Sequence, residues 1–298
     1  MKIGVLMGGI SSEKEISMQS GEEILEALKR TGKEVYGIVI NSKREIIEKV
    51  KGYDFIFIAL HGKFGEDGSV QALLETLDIP YTGCSVLSSA LCMDKMLSKK
   101  VLASEGISVA RGMLVHKGWT IEEVISEMKG FPLIVKPNNG GSSIGASLAR
   151  NQRELEESVE EALKYDEDIL IEEYLEGREL TVPMLKREIF PIIEIQAEGQ
   201  FFDYTCKYVA GKAREEAAQL SEEMKKRIEA LSYKCWDIFK CKGYVRIDIM
   251  IKNDEIYVIE LNTLPGMTRN SLFPKSAQIN GMGYEVLVEQ MIKSSLEQ

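Results

Sequence analysis

The chain has no surplus of positive charge. Its 298 residues carry 37 Lys and Arg against 47 Asp and Glu, for a formal net charge of -10. A protein that grips nucleic acid along a broad basic surface needs the opposite balance, so no nucleic-acid partner is expected. An acidic chain that binds a polyanion must do so in a locally basic pocket, which directs attention to single Lys and Arg residues beside glycine-rich turns. CxxC pairs are also missing. The five cysteines, Cys84, Cys92, Cys206, Cys235 and Cys241, are odd in number, which argues against a zinc clip or a disulfide framework and for reduced, mostly buried thiols. No apolar run reaches the ~20 residues of a membrane span. Met1–Met7 runs straight into Gly8-Gly9, without the longer apolar stretch and small-residue cleavage site of a signal peptide. The expectation is a cytoplasmic protein without a membrane partner. Repeats and low-complexity tracts are absent. What remains is an ordinary globular composition, 44% apolar and 28% charged, in a chain long enough for a sizeable core and about two or three domains.

The first stretch alternates strand-like and helix-like segments. Ile3–Met7 is a buried strand ended by two glycines, and Ile24, Leu25 and Leu28 mark a helix that stops near Gly32. Val35–Ile40 and Phe55–Leu60 are further apolar strands, with a capping box at Ser42-Lys43-Arg44-Glu45 between them. A βαβαβ order implies a parallel sheet with helices on its faces and ligands at the carboxyl ends of its strands. Beyond Met93 the spacing predicts a helix at Met96–Glu105, strands at Met113–Val115, Leu133–Lys136 and Ile169–Glu172, and helices capped at Thr120 and Asn151. The remainder reads as antiparallel: Leu180–Leu185 and Ile189–Ile195, a polar segment Tyr204–Leu220 without clear period, a helix at Ser221–Phe239, a hairpin of Val245–Ile251 with Ile256–Asn262, and a last helix at Tyr284–Leu296. The fold class is therefore α/β, or α+β overall.

That hairpin carries the strongest chemical signal. Side chains alternate across a strand, so Arg246, Asp248, Glu260 and Asn262 gather on one face while Tyr257, Ile259 and Leu261 pack opposite. Three of the four offer oxygen, the ligand type Mg²⁺ prefers, with phosphates to complete its octahedron. The bland alternative, a solvated face with a surface ion pair, fits poorly with so apolar a reverse side. The second signal is Lys136-Pro137-Asn138-Asn139-Gly140-Gly141-Ser142-Ser143-Ile144-Gly145. Its glycines let backbone N–H groups approach phosphate oxygens, and Lys136 adds a point charge. It is not the GxxxxGK[ST] loop, and it points to ATP only in combination with the downstream oxygens. Lys95 is a second basic candidate, although a lone lysine is more often at the surface. Gly8-Gly9-Ile10-Ser11-Ser12-Glu13 lacks the G-x-G-x-x-G spacing, and the second strand ends in Asn41 rather than an acid, which argues against hydride transfer. Glu13 reads equally as a first-turn acid or a substrate ligand. His61, beside two glycines after an apolar strand, favours a site role. His116 reads as merely solvated, and Trp119 and Trp236 as packing residues.

At this point the residues resemble the D-alanine–D-alanine ligases of the ATP-grasp superfamily, over essentially the whole chain. The segments that carry the resemblance are Met7 to Ser17, Leu60-His61-Gly62 with Gly65-Glu66-Asp67-Gly68, Lys136-Pro137 with Gly141 to Gly145, Tyr244 to Asp248, and Glu260 to Thr268. Some are weak individually; five in order, at compatible separations, are specific. The resemblance implies an N-terminal parallel α/β substrate domain at 1–92, then an ATP-grasp fold of two α+β subdomains: a central one at 93–178 with the Gly-rich phosphate loop, and a C-terminal one at 179–298 with the metal site and lid loop. It implies that Lys95 and Lys136 contact ATP phosphates, with Ser142, Ser143 and Lys207 also on the nucleotide. Glu172, Glu173, Tyr174 and Leu175 would line the adenine pocket, with Glu179 near the ribose. Asp248, Glu260 and Asn262 would hold two Mg²⁺, for which Mn²⁺ can substitute. Glu13 would take the ammonium of the first of two D-alanines, with His61 beside it. Ser142 and Tyr208 would link the substrate sites to Glu13. Arg246 and the Gly266 N–H would meet the oxyanion, and Ser271 and Leu272 would receive the carboxylate of the second D-alanine. A homodimer is also implied.

The same resemblance makes Tyr204–Leu220 the lid. Many relatives have a Thr and a Pro-Ala pair toward its end, where this chain reads Ala213-Arg214-Glu215-Glu216-Ala217-Ala218-Gln219-Leu220 without proline. Lys207-Tyr208 is retained, and Tyr208 favours D-alanine as second substrate. The expected activity is ATP-dependent formation of D-alanyl-D-alanine for peptidoglycan precursors. The alternatives are a D-lactate or D-serine ligase of the same fold and a non-catalytic nucleotide sensor, against which the complete set Arg246, Asp248, Glu260 and Asn262 argues.

Overall fold

The computed structural model describes residues 1–197 and 213–297. Its first layer is the expected parallel sheet. β1 (Ile3–Gly8) lies between β2 (Val35–Ile40) and β3 (Phe55–Ile58), parallel to both. β1 and β3 are buried along their whole length, which is why they read as unbroken apolar runs. The helix Lys14–Arg30 lies close against β1: a Cβ on Gly21 would come within 2.5 Å of Met7 Cβ. Ser17 of this helix accepts the Gly8 N–H at 2.9 Å and donates to the Ala59 carbonyl at 2.7 Å. One buried hydroxyl thus pins the carboxyl ends of two strands together, where the loops of Gly9 and His61 emerge. Ser42 does cap, but it caps a single 3-10 turn through the Arg44 N–H. The expected box onto the Ile46–Val50 helix does not form, because that helix starts three residues later.

The second layer is a four-stranded antiparallel sheet. β4 (Gly112–Val115), β5 (Leu133–Pro137), β6 (Ser147–Ala149) and β7 (Ile169–Glu173) lie in the order β4-β7-β5-β6. Thr120 forms a full capping box with Glu123, and Asn151 caps its helix through the Glu154 N–H, as the sequence predicts. The third layer runs β11-β10-β8-β12-β13. Its strands are β8 (Arg178–Leu185), β9 (Glu188–Ile189, paired to β8), β10 (Ile193–Ala197), β11 (Ala213–Ala217), β12 (Tyr244–Lys252) and β13 (Glu255–Asn262). The expected single strand Ile189–Ile195 is broken around Pro191, which has no N–H to give a ladder.

β11 was not legible. Ala213-Arg214-Glu215-Glu216-Ala217 has weak strand propensity, and pairing with β10 overrides it. Part of the expected lid is therefore a strand. Residues 204–212 of it, with Cys206, Lys207 and Tyr208, lie outside the described residues. The last helix, Tyr284–Leu296, packs back on Lys14–Arg30 and shares the first sheet's core through Leu287, Val288, Met291 and Ile292. Cys84, Cys92, Cys235 and Cys241 are buried free thiols. Trp236 is buried in the core of the third layer, and Trp119 packs on that of the second. Among the described residues, no helix is long and apolar enough to cross a membrane.

Candidate active site

Strand register builds the centre of the site. Asp248 lies opposite Glu260 on one side and Thr181 on the other, and Arg246 lies opposite Asn262. The expected grouping of these four residues therefore forms. Arg246 grips Asp248 as a fork, Nε to Oδ1 at 2.9 Å and Nη2 to Oδ2 at 2.8 Å. Thr181 Oγ1 donates to Asp248 Oδ1 at 2.6 Å, and Asn262 Nδ2 donates to Oδ2 at 3.0 Å. The reverse side departs from the expectation. A β-bulge between Asp248 and Ile249 shifts the register so that Ile249 meets Val258. The alternation resets there. Val258 and Ile256 turn into the core, whereas Ile259 lines the cavity on the ligand side with Met250.

A cavity of about 340 Å³ opens between the second and third sheets, within the usual size range for a small-molecule site. It is lined by Lys95, Lys136, Ser143, Glu172 to Leu175, Glu179, Asp248 and Glu260. Its apolar walls, Ala110, Ile134, Ile144, Met250 and Ile259, were not legible in the sequence, because an apolar residue facing a ligand looks like one facing a core. Lys95 opens the helix Lys95–Ser104, which Asp94 caps. Asn138 locks that helix start to the end of β5: its Oδ1 accepts the Met96 N–H and its Nδ2 donates to Asp94, both at 2.9 Å. Lys95 Nζ then reaches the Gly140 carbonyl and lies 3.4 Å from Glu260 Oε2.

Lys136 and Lys99 share the buried Glu172. Lys136 Nζ is 2.5 Å from Glu172 Oε2, and Lys99 pairs with Oε1. Lys99 was missed, because nothing in its spacing separates it from a surface lysine. Burial pushes the Glu172 carboxyl up, but the charges of Lys136 and Lys99 outweigh it and hold the group below its ordinary value of 4.5. Burial pushes Lys136 down, and the charges of Glu172 and Glu260 carry it above its ordinary value. Burial lowers Lys99.

A stability prediction follows from the Glu172 shift. Below pH 4.5 the unfolded chain takes the proton first, so the contribution of Glu172 is present above that pH and is lost as pH falls through its lowered folded value. Glu172→Gln should flatten this acid limb. It should also lower stability at neutral pH by about 3–5 kcal/mol, the usual effect of stranding a buried partner charge. Urea unfolding between pH 3 and 7, a range of about four units around the carboxylate region, checks both.

A second cavity, of about 200 Å³, lies between the first and third sheets. It shares Gly141, Glu179, Asp248 and Glu260 with the first. Glu13, His61, Ser142, Arg246, Gly266, Ser271 and Leu272 all line it. The Gly-rich loop is the wall between the two: Ser143 faces the nucleotide-sized cavity and Ser142 the other. Both serines sit at positive φ, 51° and 55°. Glu13 is 5% exposed and accepts the Ser142 hydroxyl. Glycine is required around this carboxylate. A Cβ on Gly62 would come within 2.4 Å of Glu13 Oε2, and one on Gly141 within 2.9 Å of both oxygens.

His61 Nδ1 is 3.1 Å from Glu66 Oε1, and Nε2 is 3.4 Å from Ser20 Oγ. Burial pushes this imidazole down, but Glu66 and Glu13 outweigh it and raise it above 6.5. Burial and the Glu66 charge raise Glu13, against the pull of His61, Ser142 and Lys95. At the far end, Ser271 precedes the helix Leu272–Ile279, and its hydroxyl lies 2.8 Å from Thr268 Oγ1. His116, expected to be merely solvated, is exposed and pairs with Asp168 at 2.7 Å, and neither residue lines either cavity.

Asp248, Glu260 and Asn262 fit a hard divalent cation: two carboxylates and one amide oxygen, on the face where the two cavities join. Among the described residues, no group of three or more His, Cys, Asp or Glu is arranged for a metal. Mg²⁺ does not need one, since it takes few protein carboxylates and completes its shell with phosphate and water.

Two family models match the chain, "D-ala D-ala ligase C-terminus" over residues 101–293 and "D-ala D-ala ligase N-terminus" over 41–84. A D-alanine–D-alanine ligase of Clostridium botulinum (strain Loch Maree / Type A3) is 48% identical over 297 residues, 100% of this chain and 99% of the relative. The chain belongs to the D-alanine–D-alanine ligase family. The crystal structure of the Bacillus anthracis ligase complexed with ATP superposes with a TM-score of 0.88 at 41% identity, covering 100% of this chain and 98% of that one. The VanG D-Ala:D-Ser ligase of Enterococcus faecalis gives 0.83 at 29%, covering 99% of each. This is a family of ATP-dependent ligases, with the ATP-grasp fold expected from the sequence.

Proposed function

We propose that the chain is an ATP-dependent D-alanine–D-alanine ligase that supplies the dipeptide for peptidoglycan precursors in the cytoplasm. The junction of the two cavities at Asp248 and Glu260 carries this reading. ATP would lie in the larger cavity as a substrate, its adenine against Glu172 to Leu175 and the apolar walls, its ribose near Glu179. Its phosphates would point to Lys95, Lys136, Ser143 and the Gly140-Gly141 backbone. Lys207 and Tyr208, assigned to ATP and to the second substrate, lie outside the described residues. Two Mg²⁺, or Mn²⁺ in their place, would be held by Asp248, Glu260 and Asn262; bound there, they would neutralise charge on the transferring phosphoryl group.

The first D-alanine would place its ammonium beside Glu13, with its carboxylate toward the shared wall. A free carboxylate is a poor electrophile, and its oxygen attacks the γ-phosphorus to release ADP and leave an acyl phosphate. The second D-alanine would seat its carboxylate at Ser271 and Leu272, where a helix N-terminus favours an anion. Its neutral amine then attacks the acyl carbon, with Arg246 and the Gly266 N–H facing the developing oxyanion. Phosphate leaves as the peptide bond forms. In this division 1–92 supplies the first-substrate site, 93–178 the phosphate loop and 179–298 the metal face and lid. We carry the homodimer over from the family.

The test is phosphate release from Mg-ATP with D-alanine, L-alanine or neither, and with D-alanine plus D-serine or D-lactate, with the product's mass. Release with D-alanine alone and a D-alanyl-D-alanine mass supports the reading. A product formed only with D-serine or D-lactate at the second position would replace it.

A further inference from the structure

Lys63 stands two residues after His61, on the loop that follows β3, and its side chain reaches out of the first layer. Its Nζ lies 2.9 Å from Asp166 Oδ1 and donates to the Tyr165 carbonyl at 3.3 Å. Both partners follow the helix Gln152–Ala162 of the second layer. Asp166 also holds the start of the Gly-rich loop: its Oδ2 accepts the Asn139 backbone N–H at 2.7 Å and the Asn139 side-chain amide at 3.1 Å. Tyr165 closes the loop's other end, its ring so near that a Cβ on Gly145 would come within 2.7 Å of it. One dipeptide thus holds both ends of the loop that presents Ser142 to Glu13, and one lysine of the first-substrate loop holds that dipeptide.

We infer that Lys63 is a positioning residue that docks the Gly-rich loop onto the first-substrate site. It touches neither cavity lining. Its cation is 48% exposed, whereas the Asp166 carboxylate is 7% exposed. Without the tether, the second layer keeps the loop folded through Asp166 and Asn139, but the loop is left with the Ser142–Glu13 hydrogen bond and loses the ion pair that braces it against the first layer. The phosphate cradle then spends part of its time away from the site, and the affinity for nucleotide falls by that fraction. The inference rests on the reading of the larger cavity as the ATP site.

A half-exposed ion pair sets the scale, about twofold to fivefold. Lys63→Ala should weaken the Kd for a non-hydrolysable ATP analogue with Mg²⁺, and raise the KM for ATP, by that factor. Lys63→Arg should restore most of it. In an Asp166→Asn background, which still accepts from Asn139 but offers Lys63 no charge, Lys63→Ala should add clearly less than it does alone, because only the Tyr165 carbonyl contact is left to lose. A purely structural lysine would instead lower Tm and the active fraction with Kd and KM unchanged. That outcome, or additive effects in the double variant, overturns the inference. Wild-type protein that binds the analogue but makes no D-alanyl-D-alanine would overturn the substrate reading alone, and the Kd comparison would still judge Lys63. Wild-type protein that binds no nucleotide would overturn both.

Discussion

Glu260→Gln should cost turnover at least about 100-fold, on the scale of the several kcal/mol that metal ions contribute to charge stabilisation in such reactions. The substitution keeps size and shape but removes a charge on the shared wall. Glu260 sits 3.4 Å from Lys95, and its charge helps to raise Lys136. The loss should therefore also appear as a rise in the Mg²⁺ concentration needed for half-maximal rate. Stability should change little, because the side chain is 19% exposed and lies at the cavity wall rather than in a core. Rates across a Mg²⁺ titration, with a thermal melt of the same sample, separate the two effects. Wild-type turnover in folded Glu260→Gln protein would remove Glu260 from the metal set.

Arg246→Ala should lower kcat by about 10²–10³, the range found when one preorganised oxyanion donor is removed. The geometry makes Arg246 a rigid donor. Its fork is fixed on Asp248, the pair is about nine-tenths buried, and both side chains project from neighbouring positions of β12. In the proposed role the guanidinium would meet the reacting carbonyl without reorganising. Arg246→Lys should recover only part of the loss, since an ammonium keeps the charge but not the two-pronged hold on Asp248. Rates at saturating ATP and D-alanine check both. The KM values should move less than kcat, because the donor meets charge that develops during the reaction. A variant that lost affinity and kept kcat would make Arg246 a ground-state ligand instead.

The parts of this site legible in the sequence are those where local pattern determines geometry. Alternation along β12 and β13 placed Arg246, Asp248, Glu260 and Asn262 on one face, and register confirmed it. Glycine and serine after an apolar strand marked the Gly-rich loop, and apolar runs marked β1 and β3. The parts that were not legible depend on long-range contacts. The bulge after Asp248 reversed the expected facing of Ile259, and a two-for-one pairing leaves no mark in composition. β11 forms from residues with little strand propensity because β10 offers a ladder. Nothing in the spacing around Lys99 or Lys63 marks either lysine. Only folding shows that one is buried against Glu172 and the other crosses between layers to Asp166.

The most direct test of the central claim follows an oxygen atom. D-alanine labelled with ¹⁸O in its carboxylate should be turned over with unlabelled Mg-ATP, and the released phosphate analysed by mass. If the two cavities meet so that the first carboxylate attacks the γ-phosphorus, one ¹⁸O passes into each phosphate released. Phosphate carrying no label would mean that water, not D-alanine, takes the phosphoryl group, and would contradict the account.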